Sequence, residues 1–286
     1  MDNAGLPTVR TVMALRTRLQ TWRQRGERIA LVPTMGALHE GHLSLIRLAK
    51  AQAERVVCSI FVNPKQFGPA EDFDAYPRQE EADARLLAAE RCDLIYSPTP
   101  EAMYPKGFAT TVSVAGPSSG LDGEARPGHF DGVATVVAKL LIQCGADVAV
   151  FGEKDYQQLQ VIRRLAADLD LPVQILAAPT ARAADGLALS SRNAYLSEEE
   201  RPVAGRMNLV LKETAGALAR GADVAQVEAA GRAALLKAGF GRVDYFEART
   251  ADDLRRLEGR FEGGQARVFA AAWLGSTRLI DNWPIG

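Results

Sequence analysis

Residues 29–62 read IALVPTMGALHEGHLSLIRLAKAQAERVVCSIFV, and their hydrophobic pattern decides the fold. The apolar run Ile29–Pro33 predicts a buried strand, and Arg55–Val62 predicts a second one. Between them, a glycine-containing turn leads into a helix predicted over His42–Ala53. This order of elements is typical of a βαβ unit, in which the two strands are parallel.

The same alternation continues along the chain. Helices are predicted over Gln79–Arg91 and Asp131–Cys144, and short strands over Leu94–Tyr96, Asp147–Phe151 and Pro172–Ala177. Alternating strands and helices indicate a parallel sheet that is covered on both faces. The βα units are too few for an eight-fold barrel, so the predicted fold class is α/β, with a doubly wound, Rossmann-like parallel sheet. Ligands of such sheets bind beyond the carboxyl ends of the strands.

The pattern changes near residue 190. Ser197 and Glu200 fit a capping box and predict a helix that ends near Arg220. A second helix is predicted over Asp223–Ala238. After the segment Val243–Arg249, two strands are predicted over Arg267–Trp273 and Thr277–Asn282, and Gly275-Ser276 is a candidate hairpin turn between them. We therefore predict two domains: a Rossmann-like domain over residues 1–189 and a smaller α+β domain over residues 190–286.

Composition excludes several classes of protein. The formal net charge is -1, without the basic excess that is typical of nucleic-acid binding. No apolar run approaches the roughly 20 residues of a membrane-spanning helix, and no signal-peptide core is visible. The three cysteines stand apart in apolar stretches, which indicates buried free thiols. These features predict a cytoplasmic protein that binds neither nucleic acid nor a membrane.

The chain has three histidines, and two of them lie at the predicted start of the first helix. His39 and His42 enclose Gly41, and Gly36 precedes them. A helix start favours phosphate, and two imidazoles beside it can stabilise oxygens that gain charge. The segment has neither a Walker A nor a Gly-x-Gly-x-x-Gly pattern, and its histidine spacing differs from the usual zinc motif.

Four other segments that flank predicted elements carry polar side chains. Asn63 and Gln66 offer amides that suit a small hydroxy acid. Lys154 is a cation suited to phosphate, and Asp155 suits ribose hydroxyls or a helix cap. The Leu189–Arg192 segment offers hydroxyls and a guanidinium for triphosphate oxygens. In the loop before residue 130, Arg126 and His129 are candidates for a carboxylate or pyrophosphate, or for ordering the loop alone.

The motif His39-Glu40-Gly41-His42 resembles the His-x-Gly-His signature of the nucleotidyltransferase superfamily. Six segments occur in the order found in the pantothenate synthetase family, and the match covers most of residues 29–200: PTMGALHEGH, SIFVNPKQFG, DAYPR, RPGHFDGV, FGEKDYQQL and LSSRN. The resemblance implies a homodimeric ligase that uses ATP and Mg²⁺ to join pantoate to β-alanine. It places ATP and pantoate in the larger domain and makes the smaller one a lid.

The resemblance also implies roles for individual residues. Gln66 and Gln158 are expected to bind pantoate, with Asn63, Arg126 and His129 as further substrate-binding candidates. ATP is expected to bind along four segments: Met35, Gly36, Ala37, Leu38, His39, Glu40, Gly41 and His42; Gly152, Glu153, Lys154 and Asp155; Ala181; and Leu189, Ser190, Ser191 and Arg192. Leu189 replaces a methionine that many family members have. Catalysis is expected from His42, His39, Lys154, Ser190, Ser191 and Arg192.

In the mechanism that follows, the triphosphate lies between the His39–His42 turn, Lys154 and the Ser190–Arg192 segment. The pantoate carboxylate attacks the α-phosphorus, Mg²⁺ neutralises charge, and the amine of β-alanine then attacks the acyl carbon. The metal ligands are not assigned, and Asp83 is predicted to be an exposed helix carboxylate. Two alternatives stay open: a transferase that leaves the nucleotide on its product, and a regulatory module that binds nucleotide without turnover. A tRNA-binding role is weaker.

Overall fold

The computed structural model describes residues 5–69 and 71–286. These residues form two compact units. The first comprises the described residues of Met1–Glu153 together with Val161–Pro179, and the second comprises Lys154–Gln160 together with Thr180–Gly286. Each unit has its own sheet, and the two sheets differ in strand direction.

The segment before Leu189 belongs to the second unit, whereas the sequence predicts the boundary after that residue. Two contacts explain the difference. Arg182 and Ala188 form an antiparallel bridge, and the Arg182 guanidinium pairs with the carboxylate of Asp281 at 2.6 Å. Asp281 lies in the last strand of the chain, so this ion pair ties the segment to the C-terminal sheet.

The first unit contains a six-stranded sheet and the helices that cover it. In chain order its elements are β1 (Thr8–Val9), α1 (Val12–Arg23), β2 (Ile29–Thr34), α2 (Glu40–Lys50), β3 (Arg55–Ile60), α3 (Glu80–Ala89), β4 (Leu94–Tyr96), α4 (Pro100–Met103), α5 (Asp122–Ala125), α6 (His129–Cys144), β5 (Val148–Gly152), α7 (Tyr156–Asp168) and β6 (Gln174–Ala178). The first residues of α7 belong to the second unit.

The sheet has the strand order β1-β4-β3-β2-β5-β6, and all of its pairs are parallel. The predicted doubly wound parallel sheet is confirmed. The chain runs outward from β2 through β3 to β4 and then returns to the other side of β2 with β5. The carboxyl end of β2 is therefore the topological switch point, where open α/β sheets bind their ligands.

Burial explains why β2 is central. Ile29, Ala30, Leu31 and Val32 are all fully buried, as expected for a strand that helices cover on both faces. On α2, the buried residues Ile46 and Ala49 pack in one cluster with Ala30 and Val32. All three cysteines are buried thiols, as the sequence predicts.

The second unit is α+β, as predicted. It contains α8 (Glu200–Ala204), α9 (Arg206–Ala219), α10 (Val224–Ala238), β7 (Arg242–Thr250), β8 (Ala266–Leu274) and β9 (Thr277–Ile285). The three strands form an antiparallel sheet, and a tight hairpin joins β8 to β9. Ser197 and Glu200 form the predicted capping box, but the single helix predicted as far as Arg220 is broken at Gly205, a residue of low helix propensity.

Within residues 5–69 and 71–286, no helix combines the length and apolarity that a bilayer crossing requires.

Helix α6 approaches the loop after β3 so closely that only glycine fits at one position. A Cβ added to Gly132 would lie 2.1 Å from the carbonyl oxygen of Lys65, far inside van der Waals contact. The backbone of the helix and that of the loop therefore touch directly. This contact holds the loop after β3 against α6 at Lys65.

We predict that Gly132→Ala lowers the free energy of unfolding by about 2 kcal/mol or more, because the added methyl group forces helix and loop apart. Thermal or denaturant unfolding measures the change. Gly241→Ala is the matched control, since a Cβ there meets open space. Equal unfolding free energies for the two variants would contradict the close approach.

Candidate active site

The turn that follows β2 is bent by two residues in the left-handed region. Gly36 has a φ of +83° and Ala37 a φ of +51°. Glycine adopts this conformation readily, whereas alanine is strained in it. A Cβ at Gly36 would also lie 3.0 Å from Oδ2 of Asp83. Such a strained turn persists only where surrounding contacts hold it.

Asp83, on the first turn of α3, supplies those contacts. Its Oδ2 accepts a hydrogen bond from the amide of Ala37 at 3.0 Å, and its Oδ1 accepts one from the amide of Leu38 at 2.8 Å. The side chain is fully buried, and this burial raises the pKa of the carboxyl group although the two hydrogen bonds lower it. The prediction of an exposed carboxylate is wrong, because this face of α3 packs against the turn after β2.

Helix α2 begins with a capping box made of two histidines. Nδ1 of His39 accepts from the amide of Gly41 at 3.1 Å, and Nδ1 of His42 accepts from the amide of His39 at 3.3 Å. A ring nitrogen that accepts carries no proton, so each neutral ring has its proton on Nε2. The ring centroids are 4.1 Å apart. Two imidazole donors thus stand together where the helix dipole also favours an anion.

Glu40 separates the two histidines in the sequence but faces another direction. Its carboxylate pairs with Arg47 further along α2, and that hydrogen bond lowers the pKa of Glu40. Both side chains are exposed. The negative charge of Glu40 is therefore directed to Arg47 and not to the histidine rings.

A buried amide holds the loop that follows β3. The Nδ2 group of Asn63 donates to the carbonyl of Gly132 at 3.1 Å and to Oε1 of Gln66 at 3.0 Å, while its Oδ1 accepts from the hydroxyl of Tyr104 at 2.7 Å. Nε2 of Gln66 donates to the sulfur of Met35 at 3.2 Å. Both ends of the Gln66 amide are thus held, and the loop after β3 contacts the turn after β2.

A chain of polar contacts fixes the backbone of Gln66. The Arg126 guanidinium makes two hydrogen bonds to the Glu71 carboxylate, at 2.8 and 2.6 Å, and its Nη1 lies 3.1 Å from Nε2 of His129. Nδ1 of His129 lies 2.9 Å from the carbonyl oxygen of Gln66. Because arginine can only donate, Nε2 of His129 accepts and Nδ1 carries the proton that the Gln66 carbonyl accepts.

Burial and charge set the protonation states in this chain. Burial, reinforced by the nearby charge of Arg126, lowers the pKa of His129 from 6.5 to about 4. Burial opposes ionisation of Glu71, but hydrogen bonding and charge from Arg126 outweigh it and lower the pKa of that carboxyl group. At neutral pH this series of contacts therefore contains the carboxylate of Glu71, the guanidinium of Arg126 and the uncharged imidazole of His129. The sequence leaves open whether Arg126 and His129 meet a ligand or order the loop, and the structure shows contacts that order it.

In the second unit, Lys154 lies in a short 3-10 turn, Glu153–Asp155, that directly follows β5 in the chain. Its ammonium group lies 3.6 Å from Oδ1 of Asp155. Its backbone carbonyl accepts a hydrogen bond of 3.0 Å from the side chain of Asn282. Gln158, predicted to bind substrate, is half-buried in the first turn of α7.

The Ser190–Arg192 segment opens a second 3-10 helix, Ser191–Tyr195. Oγ of Ser190 accepts from the amide of Arg192 at 3.3 Å and caps this helix. Just before it, the amide of Leu189 donates to the carbonyl of Ala181 at 2.9 Å, so two of the predicted positions are backbone neighbours. The amide of Asn193 donates to the carbonyl of Ser190 at 3.0 Å, so internal hydrogen bonds hold the start of this short helix.

Protein side chains do not form a metal cage in the part of the chain that the structure describes, since no group of three or more histidine, cysteine or acidic side chains is placed to hold an ion. A divalent cation that keeps most of its waters and binds substrate phosphates does not need such a cage.

Sequence reasoning missed four residues that position the predicted ones. Asp83 holds the turn after β2, Glu71 holds Arg126, and Asp281 and Asn282 hold segments of the second unit. Each acts on a partner at least 45 positions away in the chain. A local signal is visible for Asp281, which lies on the same face of the strand as the apolar residues Leu279 and Trp283.

Comparison with known proteins gives consistent matches over nearly the whole chain. The sequence model of the pantoate–β-alanine ligase family matches residues 7–284. The pantothenate synthetase of Caulobacter vibrioides is 60% identical over 279 residues, which are 97% of this chain and 98% of that protein. The pantothenate synthetase of Mesorhizobium japonicum is 59% identical over 276 residues, 96% of both chains.

Solved structures agree with the sequence matches. The crystal structure of pantothenate synthetase from Thermus thermophilus has a TM-score of 0.90 at 45% identity, and it covers 97% of this chain and 99% of that one. The pantoate–β-alanine ligase of Francisella tularensis, crystallised in complex with β-γ ATP and β-alanine, has a TM-score of 0.80 at 32% identity and covers 97% of each chain.

We predict that Asp83→Asn loosens the turn after β2. The amide that replaces the carboxylate accepts only one of the two hydrogen bonds and presents an N–H to the other donor. The free energy of unfolding should fall by about 1–3 kcal/mol, and amide hydrogen exchange at Ala37 and Leu38 should accelerate. Glu81→Gln, at an exposed position of the same helix, is the control. Unchanged exchange at both amides would show that Asp83 does not hold the turn.

We also predict a pH effect from His129. Its pKa is about 4 in the folded protein against an ordinary 6.5. Between these values the unfolded chain takes up the proton first, so stability is complete above pH 6.5 and falls as the pH drops towards 4. The loss amounts to about 3 kcal/mol.

His129→Asn isolates this effect, because asparagine does not titrate and its side-chain N–H replaces Nδ1 as donor to Gln66. Unfolding by denaturant at several pH values should show that wild type loses more stability than the variant between pH 6.5 and pH 4. Parallel pH profiles would mean that His129 is not buried in its neutral form.

Proposed function

The chain belongs to the pantoate–β-alanine ligase family, and we propose that the residues described above carry out the reaction of that family. The protein is an ATP-dependent enzyme that condenses pantoate with β-alanine to give pantothenate, AMP and pyrophosphate, with a pantoyl-adenylate as intermediate. The observation that carries the assignment of the site is the paired histidine cap at the start of α2, which lies at the switch point of the sheet.

His39 and His42 are proposed to bind the phosphates of ATP. Both Nδ1 atoms accept backbone hydrogen bonds, so the proton of each ring is on Nε2. Each Nε2–H group is proposed to donate a hydrogen bond to a phosphate oxygen. Charge builds up on these oxygens as pyrophosphate leaves, and fixed donors stabilise that charge without reorganisation. The backbone of Met35–Gly41 lines the same turn, and Glu40 contributes through its backbone because its carboxylate faces Arg47.

Gln66 is proposed to bind pantoate through its side-chain amide, and Gln158 to add a second amide. Neutral amides both donate and accept, which suits a substrate with hydroxyl groups and a carboxylate. Support comes from the contacts of Gln66 with Asn63 and Met35, which fix the amide before substrate arrives. Arg126 and His129 are proposed to act through the Gln66 backbone and not by direct contact with substrate.

In the second unit, Lys154 and the Ser190–Arg192 segment are proposed to bind phosphate oxygens. Lys154 supplies a mobile positive charge, and the Ser190–Arg192 segment supplies two hydroxyls and a guanidinium. Asp155 is proposed for the ribose, and the backbone of Ala181 and Leu189 for the adenine. The ammonium of Lys154 lies 3.6 Å from Oδ1 of Asp155, and its three N–H donors allow it to bind a phosphate as well.

Mg²⁺ is proposed to enter as part of the MgATP substrate. The described residues hold no cluster of three metal-binding side chains, which fits a cation held mainly by phosphate oxygens and water. Charge neutralisation on the triphosphate is the chemistry that the ion supplies. The protein residues position the nucleotide and stabilise the leaving pyrophosphate.

The reaction needs two displacements. A pantoate carboxylate oxygen attacks the α-phosphorus, the bond to the bridging oxygen breaks, and pyrophosphate leaves with that electron pair. The neutral amine of β-alanine then attacks the acyl carbon, loses a proton, and AMP leaves with the former carboxylate oxygen. No covalent bond to the enzyme is required, so positioning and electrostatic stabilisation account for catalysis.

We also propose that the enzyme works as a homodimer in the cytoplasm. Three buried thiols suit a reducing compartment. The dimer follows from the family resemblance, and light scattering coupled to gel filtration measures it. A monomer at micromolar concentration would contradict this part of the proposal.

Product analysis by mass spectrometry tests the proposed function. MgATP and pantoate are supplied with and without β-alanine. Pantothenate and AMP should appear together, and multiple turnovers should require β-alanine. Pyrophosphate release with the nucleotide retained on the product would indicate a transferase, and ATP binding without any turnover would indicate a regulatory module.

We predict that His42→Asn lowers the rate of adenylate formation by about 100-fold or more, the usual effect of removing one donor to a developing negative charge. The asparagine oxygen takes the place of Nδ1 and keeps the cap, so the unfolding temperature should stay near that of wild type. His42→Gln is the matched variant, because it loses the cap and keeps a donor near the position of Nε2. A wild-type rate in His42→Asn would remove His42 from the mechanism.

A further inference from the structure

Asn282, near the end of β9, is a buried amide with both ends engaged. It is 2% exposed. Its Nδ2 group donates to the carbonyl oxygen of Lys154 at 3.0 Å, and its Oδ1 accepts from Nε of Arg267 at 2.6 Å. All three residues belong to the second unit. The last strand of the chain thus contacts the segment that carries a proposed phosphate-binding lysine.

The orientation of this amide is determined by chemistry. Arg267 can only donate, so the oxygen of Asn282 must face it and the NH₂ group must face Lys154. The Arg267 guanidinium also stacks 4.3 Å above the ring of Tyr156, two residues after Lys154. The side-chain amide of Asn282 therefore has one orientation, in which its NH₂ group donates to the Lys154 carbonyl. A flipped amide would lose both hydrogen bonds.

The backbone of Asn282 is fixed as well. Its backbone N–H donates to Oδ1 of Asp281 at 2.8 Å, and its backbone carbonyl accepts from Nη2 of Arg182 at 3.3 Å. Arg182 in turn makes two hydrogen bonds to the Asp281 carboxylate, at 2.6 and 3.0 Å. The Asn282 side chain thus extends from a rigid point on the sheet.

Lysine has a long, flexible side chain, so the reach of its ammonium depends on where its backbone is held. The Lys154 carbonyl contacts the C-terminal sheet through the hydrogen bond that it accepts from Asn282. A shift of about 1 Å in a positioned group slows catalysis by up to about 100-fold. The side chain of Asn282 itself faces Lys154 and Arg267, which leaves it no direct part in binding phosphate.

We propose that Asn282 is a positioning residue for the adenylation step and that it acts through Lys154. The proposal rests on the proposed role of Lys154 as a phosphate ligand. A merely structural amide would affect folding but would not show energetic coupling to the ammonium group of Lys154.

The test is a double-mutant cycle with Asn282→Asp, Lys154→Met and the combined variant. The aspartate keeps the acceptor for Arg267 and replaces the donor to the Lys154 carbonyl with an oxygen, so it removes one contact selectively. The readout is kcat and KM for MgATP in pyrophosphate release with pantoate, together with the unfolding temperature.

Asn282→Asp should lower kcat/KM for MgATP by about tenfold, the effect of one lost hydrogen bond. In the background of Lys154→Met, the same substitution should have no further effect, because residues that act through one another are not additive. Asp244→Asn is the control: Asp244 binds Trp273 and Arg278 elsewhere in the same sheet, so its effect should multiply with that of Lys154→Met.

Three results would overturn the proposal: wild-type kinetics in Asn282→Asp, effects of Asn282→Asp and Lys154→Met that multiply, or a loss of activity that follows the unfolding temperature alone. Should the buried carboxylate prevent folding, Asn282→Leu, of similar size and without charge, completes the same cycle. A wild-type rate in Lys154→Met removes the proposed role of the lysine itself, and this outcome is visible independently of Asn282.

Discussion

One carboxylate, that of Asp83, accepts hydrogen bonds from two buried backbone amides, and the geometry of the turn after β2 depends on it. The chain leaves β2 at the switch point of the sheet and must reverse within a few residues to begin α2. It does so through Gly36 and Ala37 in left-handed conformations, the second of them strained. Without an acceptor, the amides of Ala37 and Leu38 would be buried and unpaired, at about 1–3 kcal/mol each.

The other contacts of the candidate site in the first unit depend on this turn. Once it is fixed, the two histidines fall on the N-cap and third position of α2, where each Nδ1 accepts a backbone hydrogen bond. Met35 contacts Gln66, and the Gln66 loop is held by Asn63 on one side and by His129 on the other. The groups proposed to touch substrates are thus held by neighbours that do not react, which is how catalysis by positioning works.

The fold could be predicted from the sequence because its signals are local, and the segments proposed to bind substrates were singled out by equally local patterns. Apolar runs and helical periodicity indicated the parallel sheet, and the pair His39 and His42 marked the start of α2. The supporting residues could not be predicted, because their roles depend on contacts between distant positions. In the sequence, Asp83 stands where an exposed acidic residue of a helix is expected. In the structure, Ala37 packs against it, so the predicted exposure was wrong.

The same reason applies to two other features of the chain. Arg126 and His129 could be read as ligands for an anion, since the partner that neutralises Arg126 lies 55 positions away at Glu71. The observed start of the second unit precedes the predicted one because Arg182 pairs with Asp281, 99 positions away. In each case the sequence shows a charged residue, and only the fold shows its partner.

The most direct measurement follows the oxygen atoms of the substrate. Pantoate labelled with ¹⁸O at both carboxylate oxygens is converted with MgATP and β-alanine, and the products are separated and weighed by mass spectrometry. Attack on the α-phosphorus predicts one labelled oxygen in AMP, one in the amide of pantothenate and none in pyrophosphate. Label in inorganic phosphate or pyrophosphate, with unlabelled AMP, would show attack at another phosphorus and would contradict the adenylate mechanism.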